Sequence, residues 1–110
     1  MSFIYLASPY SHADPAIREQ RFVAACKAAA KLMLAGDVVL SPIAHSHSIE
    51  TLGIGHVQSG GFWKTQDVPL LRHADKLVVL MLDGWQESKG IEWEIEMATA
   101  LLMPVEYLEP

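Results

Sequence analysis

Short apolar runs separated by segments with helical patterns constrain the fold of this chain more than any other feature. Phe3 to Ala7 is continuously apolar, and Lys76 to Leu82 is the strongest strand candidate. Asp37 to Pro42 is β-branched and ended by proline, and Pro104 to Leu108 is a final short run. Runs without polar alternation are typical of strands that are buried on both faces of a parallel sheet.

Three helices are predicted between these strands. Asp14-Pro15 is a typical helix start, and that helix should run to Leu34 or Ala35, with Gly36 as its terminator. Its predicted inner face contains Phe22, Val23, Cys26, Ala29, Ala30 and Met33. A second helix is predicted over residues 62–73, where Pro69 favours a kink or a restart, and a third over residues 90–102.

The order of elements predicts the fold class. Strands alternate with helices, and no internal repeat or linker interrupts them. Such an order favours a parallel sheet with right-handed crossovers and a helical layer on each side. We therefore predict a three-layer α/β sandwich, flavodoxin-like or Rossmann-like, with a mainly parallel sheet of four or five strands. The length of 110 residues is that of one domain, here 1–110.

Composition and charge narrow the classes of partner. The chain is 51% hydrophobic and 19% charged, which excludes a disordered protein. Its formal charge of −5 argues against nucleic-acid polymers and anionic membranes as partners. Cys26 is the single cysteine and is interpreted as a small buried helix residue. With no apolar run of about 18 residues, we expect a cytoplasmic protein.

Polar residues follow the first two strands, at the sheet edge where parallel α/β proteins bind ligands. Ser8, Tyr10, Ser11 and His12 are candidate wall residues after the first strand, unless they form a plain turn. After the second strand, Ile43 to Glu50 is interpreted as a loop that holds His45 and His47. These histidines favour a polar pocket lining over a metal site, because zinc needs a third ligand.

The segment 51–61 carries four of the seven glycines. It matches neither the phosphate-loop pattern nor a dinucleotide-binding pattern. We interpret it as a mobile surface loop able to act as a lid.

Glu94 is the least expected residue of the last helix. At about 100° per residue, it falls within an apolar stripe. That stripe contains Ile91, Ile95, Met97, Ala98, Leu101 and Leu102. A buried carboxylate is costly unless it is paired or lines a cavity. Just before it, Ser88, Lys89 and Gly90 present free backbone N–H groups that suit an anion such as phosphate. Alternatively, Ser88 is only an N-cap, and Glu94 pairs with a core tyrosine or reaches solvent.

These residues resemble a known superfamily. The pattern Ser88-x-Gly90-x-x-x-Glu94-x-x-x-Ala98, with Asp67 eight residues before Asp75, is similar to that of the nucleoside 2-deoxyribosyltransferase superfamily. That group also contains nucleoside 5′-monophosphate N-glycosidases. The Gly84-Trp85 and Ser88-x-Gly90 forms look closer to small bacterial proteins placed beside that superfamily.

The resemblance implies a role for several residues. Glu94 matches a catalytic nucleophile, Tyr5 its orienting partner, and Asp67 an aspartate that contacts or protonates the base. The implied substrate-binding residues are Ser8, Tyr10, Asp83, Trp85, Ser88 and Gly90, with Ser88 at the 5′-phosphate or 5′-hydroxyl. No metal and no cofactor are implied.

The implied partner is a nucleoside or nucleotide. Two departures from the superfamily concern the first loop, Ala7 to Tyr10, which is not glycine-rich, and a C-terminal asparagine that has no match. A non-catalytic nucleotide-binding or sensing module, or an accessory protein with a vestigial pocket, is therefore the alternative. Trp63 or Trp93, if exposed, would suit a homodimer or homotetramer interface.

Overall fold

The computed structural model describes residues 2–55 and 60–110. The elements along the chain are β1 (Ile4–Ala7), α1 (Pro15–Leu34), β2 (Val39–Leu40), α2 (Pro42–Ile49), a π-helical turn (Glu50–Ile54), α3 (Gly60–His73), β3 (Lys76–Leu80), a 3₁₀ turn (Trp85–Glu87), α4 (Lys89–Ala100) and β4 (Val105–Leu108). All four strands lie in one sheet of order β2-β1-β3-β4, and every neighbouring pair is parallel. The predicted parallel sheet is confirmed with four strands.

Helices cover both faces of the sheet. Because successive strand side chains point to opposite faces, Tyr5 and Ala7 of β1 pack on one side, and Ile4 and Leu6 pack on the other. The first side is completed by Leu71 of α3 with Ile91 and Ala98 of α4. The second side is completed by Ala29 of α1. The three-layer α/β sandwich is therefore confirmed.

Helix α1 begins and ends as predicted, but only Ala29 of its predicted inner face is buried, and Cys26 is half-buried. Asp14 caps the helix by accepting a hydrogen bond from the Ala16 N–H, at 2.9 Å. Ala25 and Ala29 are the buried residues, whereas Val23 and Met33 are 39% and 51% exposed. Apolar residues occur on almost every face of this segment, so their periodicity could not fix which face meets the sheet. Within residues 2–55 and 60–110, no helix has both the length and the apolarity to span a membrane.

The segment from Ile43 to Glu50 is not the predicted loop, because α2 begins at Pro42. The Ser41 hydroxyl accepts from the Ala44 N–H at 3.1 Å, and proline occupies the first helical position. This is the same start signal that Asp14-Pro15 gives for α1. Residues 51–54 of the predicted lid lie in the π-helical turn, and residues 56–59 lie outside the described part of the chain.

Helix α4 ends two residues earlier than predicted. Leu102 adopts a left-handed backbone with φ of 58°, and the Met103 N–H donates to the Ala98 carbonyl at 2.9 Å. This closing turn directs the chain into β4 and takes Leu101 and Leu102 out of the apolar stripe. They are 42% and 91% exposed. The buried residues of α4 are therefore Ile91, Glu94 and Ala98.

Candidate functional site

A cavity of about 690 Å³ opens at the carboxyl end of the sheet. Its wall is formed by the loop after β1, by α2 and α3, and by the beginning of α4. This is the edge where open parallel sheets bind ligands. The cavity is lined by eight of the residues that the sequence predicted as wall or site residues: Ser8, Tyr10, Ser11, His12, Asp67, Ser88, Gly90 and Glu94. The structure thus brings these eight residues together.

Glu94, which lines the cavity, forms a buried pair with Tyr5, which lies behind it and is not a lining residue. The Tyr5 hydroxyl donates a hydrogen bond to Glu94 Oε2 at 2.6 Å. Tyr5 is fully buried in β1, and Glu94 is 8% exposed in the second turn of α4. Glu94 therefore pairs with a core tyrosine and lines the cavity at the same time. A carboxylate fixed by one neighbour, with a face toward a cavity, is suited to nucleophilic chemistry.

Burial changes the acidity of both carboxyl groups. It raises the pKa of Glu94 to about 8; the hydrogen bond from Tyr5 opposes this rise, and the charge of Asp67 adds to it. Burial also raises the pKa of Asp67 to about 6, with His45 acting in the opposite direction. The pKa of Tyr5 is raised far above its ordinary value, first by burial and then by Glu94 and Asp67. Both carboxyl groups therefore exchange protons near neutral pH, while Tyr5 remains a hydrogen-bond donor.

Substitutions of Tyr5 and of Asp67 should shift the pKa of Glu94 in opposite directions. Tyr5→Phe removes a hydrogen bond that favours the ionised carboxylate, so the pKa of Glu94 should rise further. Asp67→Asn removes a like charge, so the pKa of Glu94 should fall. Carboxyl ¹³C chemical shifts followed through a pH titration measure both effects. The exposed Glu96→Gln is the matched control, and a shift of the same sign in both variants would contradict this electrostatic account.

Two serines and a glycine line the cavity together with Glu94. Ser8 is 6% exposed, and its hydroxyl has no hydrogen-bond partner within residues 2–55 and 60–110. Ser88 caps α4 by accepting from the Ile91 N–H at 3.2 Å. A Cβ added at Gly90 would make only ordinary contact with Ser88 Oγ, at 3.8 Å. Packing therefore does not require glycine at this position.

Asp83 and Trp85 were predicted to bind the substrate, but neither residue lines the cavity. The Trp85 ring packs against Tyr107 with 5.6 Å between ring centroids, because the 3₁₀ turn after Gly84 directs it into the apolar cluster. Asp83 is exposed, and its backbone carbonyl accepts from Arg21 Nη2 at 3.2 Å. Arg21 also donates to the Ser11 carbonyl at 3.0 Å and lines the cavity. Arg21 therefore connects the loop after β1 to the loop after β3 and adds a positive charge to the cavity wall.

The interpretation of His47 as pocket lining is confirmed, because His47 lines the cavity. The sequence did not identify Glu50 and Trp63 as cavity residues, although both line the cavity and Glu50 is only 6% exposed. Trp63 and Trp93 are half-buried cavity residues and do not have the exposure expected for an interface. No group of three potential metal ligands occurs in the part of the chain that the structure describes.

Comparison with known proteins places the chain in a family. Residues 2–109 match the profile of a family described as a domain of unknown function, DUF1937. The chain belongs to this family. No curated protein matches the sequence of this DUF1937 chain.

A solved structure is similar to the DUF1937 chain over almost its whole length. It is that of a 2-deoxyribosyltransferase from the psychrotolerant bacterium Bacillus psychrosaccharolyticus. The two are 25% identical with a TM-score of 0.70, and the match covers 99% of this chain and 73% of the other. This protein is thus similar in structure to a 2-deoxyribosyltransferase, the class of protein that its sequence resembles.

Proposed function

We propose that this protein breaks the N-glycosidic bond of a nucleoside or nucleotide and passes the sugar to a second base or to water. The buried Glu94 carboxylate, which lines the cavity and accepts a hydrogen bond from Tyr5, is the observation that carries the proposal. The similarity to a 2-deoxyribosyltransferase supports the choice of substrate class. On this proposal the chain is a distant member of the nucleoside 2-deoxyribosyltransferase superfamily.

Glu94 acts as the nucleophile in the first step. One of its carboxylate oxygens forms a bond to the anomeric carbon while the bond from that carbon to the base nitrogen breaks. The electron pair of the broken bond goes to the base, and protonated Asp67 supplies the proton that the departing nitrogen needs. Burial raises the pKa of Glu94 to about 8 and that of Asp67 to about 6, so the reactive form, with Glu94 ionised and Asp67 protonated, is the minor of the two singly protonated states of the pair. The products of this step are the free base and a glycosyl ester of Glu94.

The second step regenerates the carboxylate. A nitrogen of another base, or a water oxygen, attacks the anomeric carbon and gives its proton to Asp67. The ester bond to Glu94 breaks, and its electron pair returns to the carboxylate oxygen. Two displacements at one carbon retain its configuration, so the new glycosidic bond lies on the original face of the sugar.

The wall at the start of α4 holds the 5′ end of the substrate in this proposal. The free N–H groups of the first turn of α4 attract an anion, and Arg21 adds a positive charge nearby. An oxygen of the sugar or its phosphate would give the buried Ser8 hydroxyl the partner it lacks within the described residues. Ser88 and Gly90 complete this wall.

A substrate panel tests the function. The protein is incubated with purine and pyrimidine deoxynucleosides, ribonucleosides and 5′-monophosphates, each with and without a second base, and free base and new nucleoside are separated chromatographically. We expect base release from at least one class. Ligand binding without base release, unchanged by Glu94→Ala, would favour the non-catalytic nucleotide-binding module instead.

A further inference from the structure

The cavity wall contains a second buried carboxylate, Glu50, which the proposed reaction does not use. Glu50 Oε2 accepts from the Tyr10 hydroxyl at 3.1 Å, and Oε1 accepts from Trp63 Nε1 at 3.2 Å. Its side chain is at the junction of α2 and the π-helical turn, whereas Tyr10 follows β1 and Trp63 belongs to α3. One carboxylate thus connects three separate segments of the cavity wall.

His47 extends this network to the surface. Its Nδ1 lies 2.7 Å from the Tyr10 hydroxyl oxygen, and its Nε2 lies 2.8 Å from Glu19 Oε2. The imidazole stacks on Phe22 with 4.1 Å between centroids and 17° between planes. The side chain of His47 is 11% exposed, while that of Glu19 is 59% exposed. The network therefore runs from a buried carboxylate to an exposed one.

Tyr10 is a hydrogen-bond donor at the centre of this network. Tyr10 has one hydroxyl proton, and burial, followed by the charge of Glu50, raises the pKa of Tyr10 to about 12, so it remains a donor. That single proton can be donated to Glu50 Oε2, at 3.1 Å, or to His47 Nδ1, at 2.7 Å, so Tyr10 connects the carboxylate to the imidazole.

The network determines what Tyr10 and Trp63 offer to a ligand. Both line the cavity, and the polar atom of each is directed at Glu50. What they present to the cavity is aromatic ring surface, which suits a flat heteroaromatic ring. Trp63 also precedes Asp67 by one turn of α3, so the wall is built on the element that carries the proposed acid. We call Tyr10 and Trp63 the aromatic wall.

We propose that Glu50 is a positioning residue, which fixes the aromatic wall so that the planar base of the substrate stacks on it. This inference rests on the proposed function for the identity of the ligand. Glu50 acts through Tyr10 and Trp63 and takes no part in bond breaking. Its loss should therefore weaken base binding and raise KM, with little effect on kcat.

Binding of free bases to Glu50 variants is the test. Adenine, hypoxanthine, cytosine and thymine are titrated calorimetrically against the wild type, Glu50→Ala and Glu50→Gln. Since one aromatic stacking contact accounts for a large share of base affinity, Glu50→Ala should raise Kd by about tenfold for the bases that bind. Glu50→Gln should restore Kd to within about threefold, because its amide oxygen accepts from Trp63 and its amino group donates to Tyr10.

The indole N–H of Trp63 gives a readout that an ordinary structural role would not move. Its ¹H and ¹⁵N shifts, assigned with a Trp63→Phe variant, should change in Glu50→Gln, because a neutral amide oxygen then accepts the hydrogen bond in place of a carboxylate oxygen. Indole shifts that are the same in Glu50→Gln and the wild type would overturn the network, even if Glu50→Ala fails to fold.

The outcomes separate this inference from the proposed function. Base binding that depends on Glu50, without any glycosidic cleavage, would support the role of the aromatic wall and contradict the proposed enzymatic function. If Glu50→Ala cleaves the substrate with unchanged Kd and KM, the positioning role of Glu50 is contradicted and the proposed enzymatic function is not. Absence of binding by all four bases would overturn the inference.

Discussion

Replacement of Glu94 by glutamine is expected to slow base release by at least about 10⁴-fold, because the variant retains the shape of the site but has no nucleophile. The introduced amide oxygen can still accept the Tyr5 hydrogen bond, which is 2.6 Å long in the wild type. The measurement is kcat/KM for the substrate that the panel identifies, with far-ultraviolet circular dichroism to verify the fold.

The matched control for this prediction is Glu92→Gln. Glu92 lies on the same helix, is exposed and does not line the cavity. The Glu92→Gln substitution should leave kcat/KM within about threefold of the wild-type value, as expected for a surface site. If Glu94→Gln retained activity within tenfold of the control, the proposed nucleophile would be wrong.

The same substitution is expected to stabilise the protein at alkaline pH. Burial raises the pKa of Glu94 from 4.5 to about 8, so the folded protein binds this proton more tightly than the unfolded chain. The resulting stabilisation is complete below pH 4.5 and is lost as the pH rises through 8. A glutamine is neutral at every pH. At pH 9 Glu94→Gln should therefore unfold at least about 5 °C above wild type, while near pH 4 the two should be similar.

Thermal unfolding followed by circular dichroism between pH 4 and 9 checks this prediction. Glu96→Gln, which removes an exposed carboxylate from the same helix, should show no such divergence from wild type. If the difference in Tm between Glu94→Gln and the wild type stays constant from pH 4 to pH 9, the pKa of Glu94 is not raised in the folded protein.

Several features of the fold could be predicted because each has a local physical cause. The apolar runs around Tyr5 and Leu77 identify buried parallel strands, since both faces of the sheet are covered. Asp14-Pro15 and Gly36 marked the ends of α1 through capping and a positive φ of 106°. Glu94 was identifiable because a carboxylate within an apolar helical stripe is rare without a partner.

Other features depend on tertiary contacts that a local pattern does not contain. Glu50 follows a polar segment, and nothing nearby in the sequence indicates that Tyr10 and Trp63 would meet its carboxylate. Trp85 adjoins the cavity residues in sequence, yet its ring is directed into the core by a turn of three residues. The start of α2 was the exception, because Ser41-Pro42 was readable as an N-cap followed by proline.

The most direct test of the account is to trap the bond between the sugar and Glu94. The reaction with the substrate from the panel is quenched in acid during turnover, and the protein is analysed by intact mass and then by peptide mapping. The account predicts an added mass of one glycosyl group on the peptide that contains Glu94, and none in Glu94→Gln. An adduct on another residue, or base release with inverted configuration at the anomeric carbon and no adduct, would contradict it.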